Sequence, residues 1–288
     1  MSSRWQKIGA HNSFSLIGIE ETLLGGQSFA WSPYEPNQWV GLIRQSLVRF
    51  KWLEGQLFWV LESGEKITKD ELCHYLWLDD SYITALNNLP WRSDPVLGRA
   101  VNKFSGLRIL RQPMEEVLLV FILSSAKSIP QIKLLCQKVY KLFGNEVSPE
   151  FYSFPGWAKL KNLHETEARN LGMGYRAKYL VGTAQYLSAN PDFLTEVQNF
   201  PYLKARSMLM KLPGVGPKVA DCILLFGAEK NEAFPIDTWI LQSLEKQYGM
   251  SGWKLSQMEE FARIHFGEHA GLAQQFLFSY QRNLTKLN

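Results

Sequence analysis

Cysteine is scarce in this chain of 288 residues; Cys73, Cys136 and Cys222 are all it has. They are far apart, odd in number and in no C-x-x-C pair. That excludes a disulfide framework and a four-cysteine iron–sulfur loop, and it fits a reducing compartment. The histidines His11, His74, His164, His265 and His269 make no zinc-ligand pattern with them. No apolar run reaches the roughly 20 residues a bilayer span needs. The opening Met1-Ser2-Ser3-Arg4-Trp5 lacks the features of a secretory signal. An intracellular protein is expected, in a bacterial cytoplasm or a nucleus, with no membrane partner. Net charge is only +4. A nucleic-acid partner then requires the basic groups to be gathered on one face.

What is present is a large apolar fraction. At 46% hydrophobic and 20% charged, the chain can build one large or two moderate domains. Residues 1 to about 100 read as β-rich. The runs 38–43, 46–52 and 57–61 are β-branched and aromatic, and turn residues such as Glu54-Gly55 separate them. More helical stretches follow at 69–78 and 81–89. From 101 to 288 the periodicity is helical, with helices expected at 114–125, 129–143, 177–188, 202–211, 218–226, 237–248, 256–266 and 271–283. Ser256-Gln257-Met258-Glu259 has the capping-box pattern. The expected fold class is α+β: an antiparallel sheet followed by a two-lobed helical domain.

The most informative stretch is Leu212-Pro213-Gly214-Val215-Gly216-Pro217-Lys218, running on to Pro235-Ile236-Asp237. It predicts a helix-hairpin-helix over about 203–228. Two glycines one residue apart permit positive φ and a tight turn. Pro217 suits the first position of the second helix. The N–H groups of Gly214, Gly216 and Lys218 would then face outward at a helix N-terminus, a place for phosphate. An ordinary αα-hairpin would also account for the two glycines. Asp237 is a good helix N-cap, and that reading is compatible with a chemical one.

The whole string resembles the helix-hairpin-helix of the DNA glycosylase superfamily that carries a catalytic aspartate, and within it the 8-oxoguanine DNA glycosylases. The similarity recurs in order at Gly26-Gln27-Ser28-Phe29, Gly106-Leu107-Arg108-Ile109-Leu110-Arg111-Gln112, Gly174-Tyr175-Arg176-Ala177-Lys178-Tyr179 and Ala270-Gly271-Leu272-Ala273-Gln274. It implies that the N-terminal sheet domain packs on the helical core, with the hairpin lining a cleft. It implies a bifunctional glycosylase and abasic-site lyase acting on duplex DNA that contains 8-oxoguanine, without a redox cofactor. Lys218 matches the nucleophile and Asp237 its electrostatic and proton-transfer partner. Phe278 and Cys222 match the two faces of the flipped base, although core packing would equally explain them. Gln274 matches the reader of the Watson–Crick edge. Gly26 matches the carbonyl that accepts the N7 hydrogen found in 8-oxoguanine and not in guanine. Gly214, Gly216, Thr238 and Trp239 fall at phosphate-contact positions. The carbonyls of Leu212 and Val215 match those that hold an alkali-metal ion in relatives. Tyr175 and Arg176 match the wedge and the opposite-base contact, where an exposed helix-start turn is the alternative. A monomer is the expected state.

Three positions depart from the pattern. Ala126 stands where the best-known members have an asparagine, Gln131 where they have a second arginine, and Trp239 where they have a phosphate-contacting histidine. Weaker discrimination among opposite bases is therefore expected. Two other readings compete. One is a water-using glycosylase for alkylated or mismatched bases; such relatives often lack the lysine. The other is a non-catalytic duplex-binding hairpin module, which would need neither Asp237 nor a base pocket.

Overall fold

The computed structural model describes residues 5–9 and 11–285. Residues 1–4, on which most of the signal-peptide reading rests, lie outside it. Five strands, β1 Gln6–Lys7, β2 Trp31–Pro33, β3 Gln38–Ile43, β4 Ser46–Leu53 and β5 Gln56–Gly64, form one sheet. Every pairing is antiparallel, in the order β1-β5-β4-β3-β2. The three expected strand runs are β3, β4 and β5. Trp31 stacks on Phe50 with ring centroids 4.6 Å apart and donates through Nε1 to the Tyr75 hydroxyl at 2.8 Å. Its ring lies over Gly41, where a Cβ would come within 2.7 Å of it.

The N-terminal segment is less purely β than its composition suggested. It also holds helices α1 Leu16–Leu24, α2 Lys69–Tyr75, α3 Asp80–Asn88 and α4 Pro95–Lys103. Helix α1 spans only nine residues; Ser15 caps it by accepting from Gly18 N–H at 3.0 Å. Helix α4 follows from Asp94, which accepts from Val96 and Leu97 N–H, with Pro95 first in the helix.

The rest is helical apart from a small hairpin, β6 Glu146–Ser148 with β7 Phe151–Tyr152. Helices α5 Met114–Leu123, α6 Ile129–Phe143, α7 Trp157–Leu160, α8 Glu165–Ala168, α9 Arg176–Ala189 and α10 Phe193–Asn199 make one group. Helices α11 Tyr202–Leu209, α12 Pro217–Gly227, α13 Thr238–Gln247, α14 Leu255–Phe266 and α15 Ala270–Thr285 complete the chain. The box expected at Ser256 is displaced. Helix α14 begins at Leu255, and Gln257 accepts from the Lys254 N–H at 2.9 Å, so Lys254 occupies the cap position.

Two apolar cores result. The smaller lies under the sheet and takes in Ile19, Trp31, Phe50 and Leu72, with Leu110 returning to it from later in the chain. The larger runs from Phe29 and Trp77 to Leu277. The proposed division at about residue 100 therefore passes between cores that interleave, because α3 and α4 already contribute to the larger one. No helix among the described residues is long and apolar enough to cross a membrane.

Candidate active site

The hairpin joins α11 to α12. Only Gly214 takes positive φ, at 77°, and a Cβ there would lie 2.4 Å from the Tyr179 ring. Gly216 is extended instead, at φ −91° and ψ −178°, and caps α12. A Cβ at Gly216 would meet nothing within 4 Å, so its backbone faces open space. The first glycine is thus required by the turn, and the second leaves room for something outside it. Pro217 opens α12 as expected. A buried network holds the two helices together. Arg206 grips Asp221 through Nε at 2.8 Å and Nη2 at 3.1 Å, Tyr202 donates to the same carboxylate at 2.8 Å, and Arg206 reaches Glu259 on α14 at 2.6 Å.

Beside the hairpin lies a cleft of about 960 Å³. Lys218, Cys222, Asp237, Thr238, Trp239, Gln274, Phe278 and Gly26 all line it, so four distant stretches of sequence meet there. Lys218 sits on the first turn of α12 with Nζ 5.2 Å from the centroid of Phe121. Asp237 caps α13, accepting through Oδ1 from Trp239 N–H at 3.0 Å and Ile240 N–H at 2.9 Å. Capping alone would favour its ionised form. Burial works the other way and wins: the Asp237 carboxyl is raised above its ordinary value, against the pull of the Ile240 N–H, the Lys218 ammonium and the Trp239 N–H. Burial also pushes the Cys222 thiol up to about 11, so at neutral pH it is an uncharged wall.

Gln274 is buried, with its Nε2 donating to the Pro235 carbonyl at 3.1 Å and its Oε1 accepting from Gln275 at 2.7 Å. Gly26 has φ 104°, where only glycine is at ease, and a Cβ would press on Ile129 at 2.9 Å. Its neighbour Gln27 explains why two motifs travel together. Gln27 donates to the carbonyls of Thr22 and Arg108, accepts from Leu110 N–H, and offers its own carbonyl to Gln112 Nε2 at 2.7 Å.

Tyr175, Arg176 and Gln131 stand outside the cleft lining, whereas Ala126 and Trp239 belong to it. Tyr175 is exposed and makes an edge contact with Tyr179. Arg176 is buried, donating to the carbonyls of Ser125 and Met173 while its guanidinium lies over the Tyr175 ring at 4.3 Å. Ala126 is exposed on the rim at φ 51°, a conformation asparagine tolerates better than alanine. Gln131 serves as a cap for α6, accepting from Ser128 N–H at 3.0 Å. Trp239 lines the cleft, but its N–H is taken by Asp237.

Sequence reasoning passed over two contributors. Phe121, read only as one apolar residue of α5, stacks on Phe226 and faces the Lys218 ammonium. Arg282 bonds Glu21 at 2.6 Å and the Gly25 carbonyl at 2.8 Å, and its guanidinium lies 5.3 Å from the Phe278 ring centroid. No spacing pattern marks either residue.

Fold and site together define a helix-hairpin-helix DNA glycosylase. Residues 11–118 match the family model described as 8-oxoguanine DNA glycosylase, N-terminal domain, and residues 205–226 match the helix-hairpin-helix motif. The chain is 32% identical over 271 residues to the N-glycosylase/DNA lyase OGG1 of Arabidopsis thaliana, covering 88% of this chain and 74% of that protein. It is 32% identical over 201 residues to the N-glycosylase/DNA lyase of Saccharomyces cerevisiae, covering 65% of this chain and 53% of that one. The Clostridium acetobutylicum 8-oxoguanine glycosylase/lyase, solved with duplex DNA containing cytosine opposite 8-oxoguanine, superposes with a TM-score of 0.85 at 28% identity. That match covers 99% of this chain and all of the other. The chain belongs to the 8-oxoguanine DNA glycosylase family and is a DNA N-glycosylase with abasic-site lyase activity.

Proposed function

We propose that the enzyme excises 8-oxoguanine from duplex DNA through an imine on Lys218, with Asp237 as its partner. The supporting observation is that Lys218, Asp237 and all four candidate base-pocket residues line one cleft. A base inside a duplex is out of reach, so the nucleotide is flipped into this cleft. Neutral Lys218 forms the N–C1′ bond while the C1′–N9 bond breaks, and the electron pair leaves on the base, which takes up a proton. Asp237 stabilises the positive charge developing on the sugar, and its raised proton affinity suits it to take the lysine proton. Ring opening gives the imine. Loss of a C2′ proton then expels the 3′ phosphate, and water releases the enzyme.

Phe278 and Cys222 take the two faces of the base, Gln274 its Watson–Crick edge and the Gly26 carbonyl its N7 hydrogen. Gly214, Gly216 and Thr238 lie along the phosphate path. The Leu212 carbonyl accepts the Val215 N–H at 3.1 Å and keeps a second lone pair. With the Val215 carbonyl it would hold an alkali-metal ion, whose positive charge would favour a nearby phosphate. The enzyme acts as a monomer.

The same reading gives a relaxed opposite-base preference. Arg176 is the one remaining arginine for that contact, and two main-chain carbonyls hold its guanidinium. The test is borohydride trapping on 8-oxoguanine duplexes with each of the four bases opposite. An adduct that disappears in Lys218→Gln establishes imine, lysine and substrate together. Base release without an adduct would mean a water-using glycosylase. Adduct confined to the cytosine duplex would overturn the relaxed preference.

A further inference from the structure

Away from the catalytic cleft, Glu116 is a carboxylate with little around it to satisfy it. It lies on the first turn of α5, yet that helix has no side-chain cap hydrogen bond. Tyr140 donates to one of its oxygens at 3.2 Å. No lysine, arginine or histidine pairs with it among the described residues. Burial pushes it up to about 7. A half-buried carboxylate with one hydrogen-bond partner is stabilised when further donors arrive to pair with it.

Glu116 opens into two hollows. One, of about 20 Å³, is large enough for a single water and reaches Phe121 behind it. The other is a cavity of about 370 Å³ between the sheet and α6. Its walls include the aromatic side chains of Phe29, Tyr140, Tyr152 and Phe154. Arg44, Lys138 and Lys141 stand at its exposed edge together with Glu150. The cavity thus has the Glu116 carboxylate on its inner lining, several flat aromatic side chains in its walls and a mostly cationic rim.

We propose that this cavity binds a guanine-type base, free or as a mononucleotide, with Glu116 accepting from the ring N–H and the adjacent amino group. A carboxylate accepts two parallel N–H bonds, and the guanine edge presents N1–H and the 2-amino group side by side. Adenine presents a donor beside a lone pair, which one carboxylate oxygen would oppose. Aromatic walls receive a planar ring. The rim cations receive a phosphate if one is attached. The 8-oxoguanine base keeps the same N1–H and amino edge as guanine.

The experiment is calorimetric titration of the full chain with GMP, IMP, AMP and guanosine, the catalytic cleft being filled throughout by a duplex carrying a non-cleavable 8-oxoguanine nucleotide, so that its base pocket is occupied. GMP should bind, IMP should bind about tenfold more weakly for want of the 2-amino donor, and AMP more weakly still. Glu116→Gln should remove the preference for GMP over AMP. Lys141→Ala should weaken GMP and leave guanosine unchanged if the phosphate is part of the ligand, whereas unchanged binding of both marks the base alone as the ligand. Leu134→Trp narrows the exposed mouth without touching the core and should abolish GMP binding, so the proposal stays testable even if Glu116→Gln does not fold. Equal affinity for GMP and AMP, retained preference in Glu116→Gln, or no binding of GMP or guanosine up to about 5 mM would overturn it.

Discussion

The side-chain amide of Gln274 is bonded to the carbonyl of Pro235, two residues before Asp237. The side chain proposed to read the base therefore buttresses the segment that carries the proposed catalytic carboxylate. Gln274→Ala should cut excision of 8-oxoguanine by roughly tenfold to a hundredfold, since it removes both the edge contact and the anchor. Cleavage of a preformed abasic site, which has no base to read, should fall much less. Comparing the two substrates in single-turnover assays separates recognition from chemistry.

Asp237→Asn keeps an oxygen that can accept from Trp239 and Ile240. Thermal stability should change by no more than about 1 kcal/mol. Base release should fall by about a hundredfold or more, because the negative charge facing the sugar is gone. Full activity in the Asn variant would reduce Asp237 to a cap.

The two hairpin glycines should fail in different ways. Gly214→Ala drives a methyl into the Tyr179 ring at a positive φ, and should destabilise the fold by about 1–3 kcal/mol. Gly216→Ala has open space and an ordinary φ. It should leave the melting temperature nearly unchanged and weaken binding to undamaged duplex, measured by fluorescence anisotropy, because the added methyl stands where a phosphate would approach.

Gln131→Arg should raise the ratio of adduct formed opposite cytosine to that formed opposite adenine. It should also cost about 0.5–1 kcal/mol of stability, because Gln131 now caps α6. Trapping yields and a melting curve on the same variant read the two effects. An unchanged ratio would remove position 131 from opposite-base selection.

Glu116 gives a pH signature in stability. Its carboxyl is raised in the fold above its ordinary value of 4.5 to about 7. A group raised on folding adds stability below the unfolded value, and that contribution is lost as pH rises through the folded one. Between pH 4.5 and pH 7 wild type should therefore lose on the order of 1–3 kcal/mol that Glu116→Gln does not lose. Melting curves of the two proteins at pH 5 and pH 8 check the sign: the variant gains on wild type at the higher pH.

The hairpin, the α13 cap and the order of the motifs were legible because each is local. A glycine turn, a proline at a helix start and an aspartate before a helix act over a few residues. What burial does was not legible. The capping role of Asp237 argued for a lowered carboxyl, whereas enclosure in the cleft raises it. Gly216 looked equivalent to Gly214, but only three dimensions show that Tyr179 covers one and nothing covers the other. Ser256 satisfied a capping pattern that α14 ignores by starting a residue early. Arg176 matched an opposite-base contact, with an exposed helix-start turn as the alternative; tertiary packing buries it and bonds its guanidinium to the carbonyls of Ser125 and Met173. Phe121 carries no mark in a run of apolar residues; its place under Lys218 depends on how α5 meets α12.

The bridge from Arg282 to Glu21 spans 261 positions of sequence. It sets an order of assembly during synthesis. The hairpin and Asp237 leave the ribosome before α15 does, so a growing chain carries Lys218 while Gln274 and Phe278 are still missing. Helix α15, which holds Gln274 and Phe278, is made after α1 and is then tied back to it. A chain that has not yet released α15 therefore lacks one wall of the cleft.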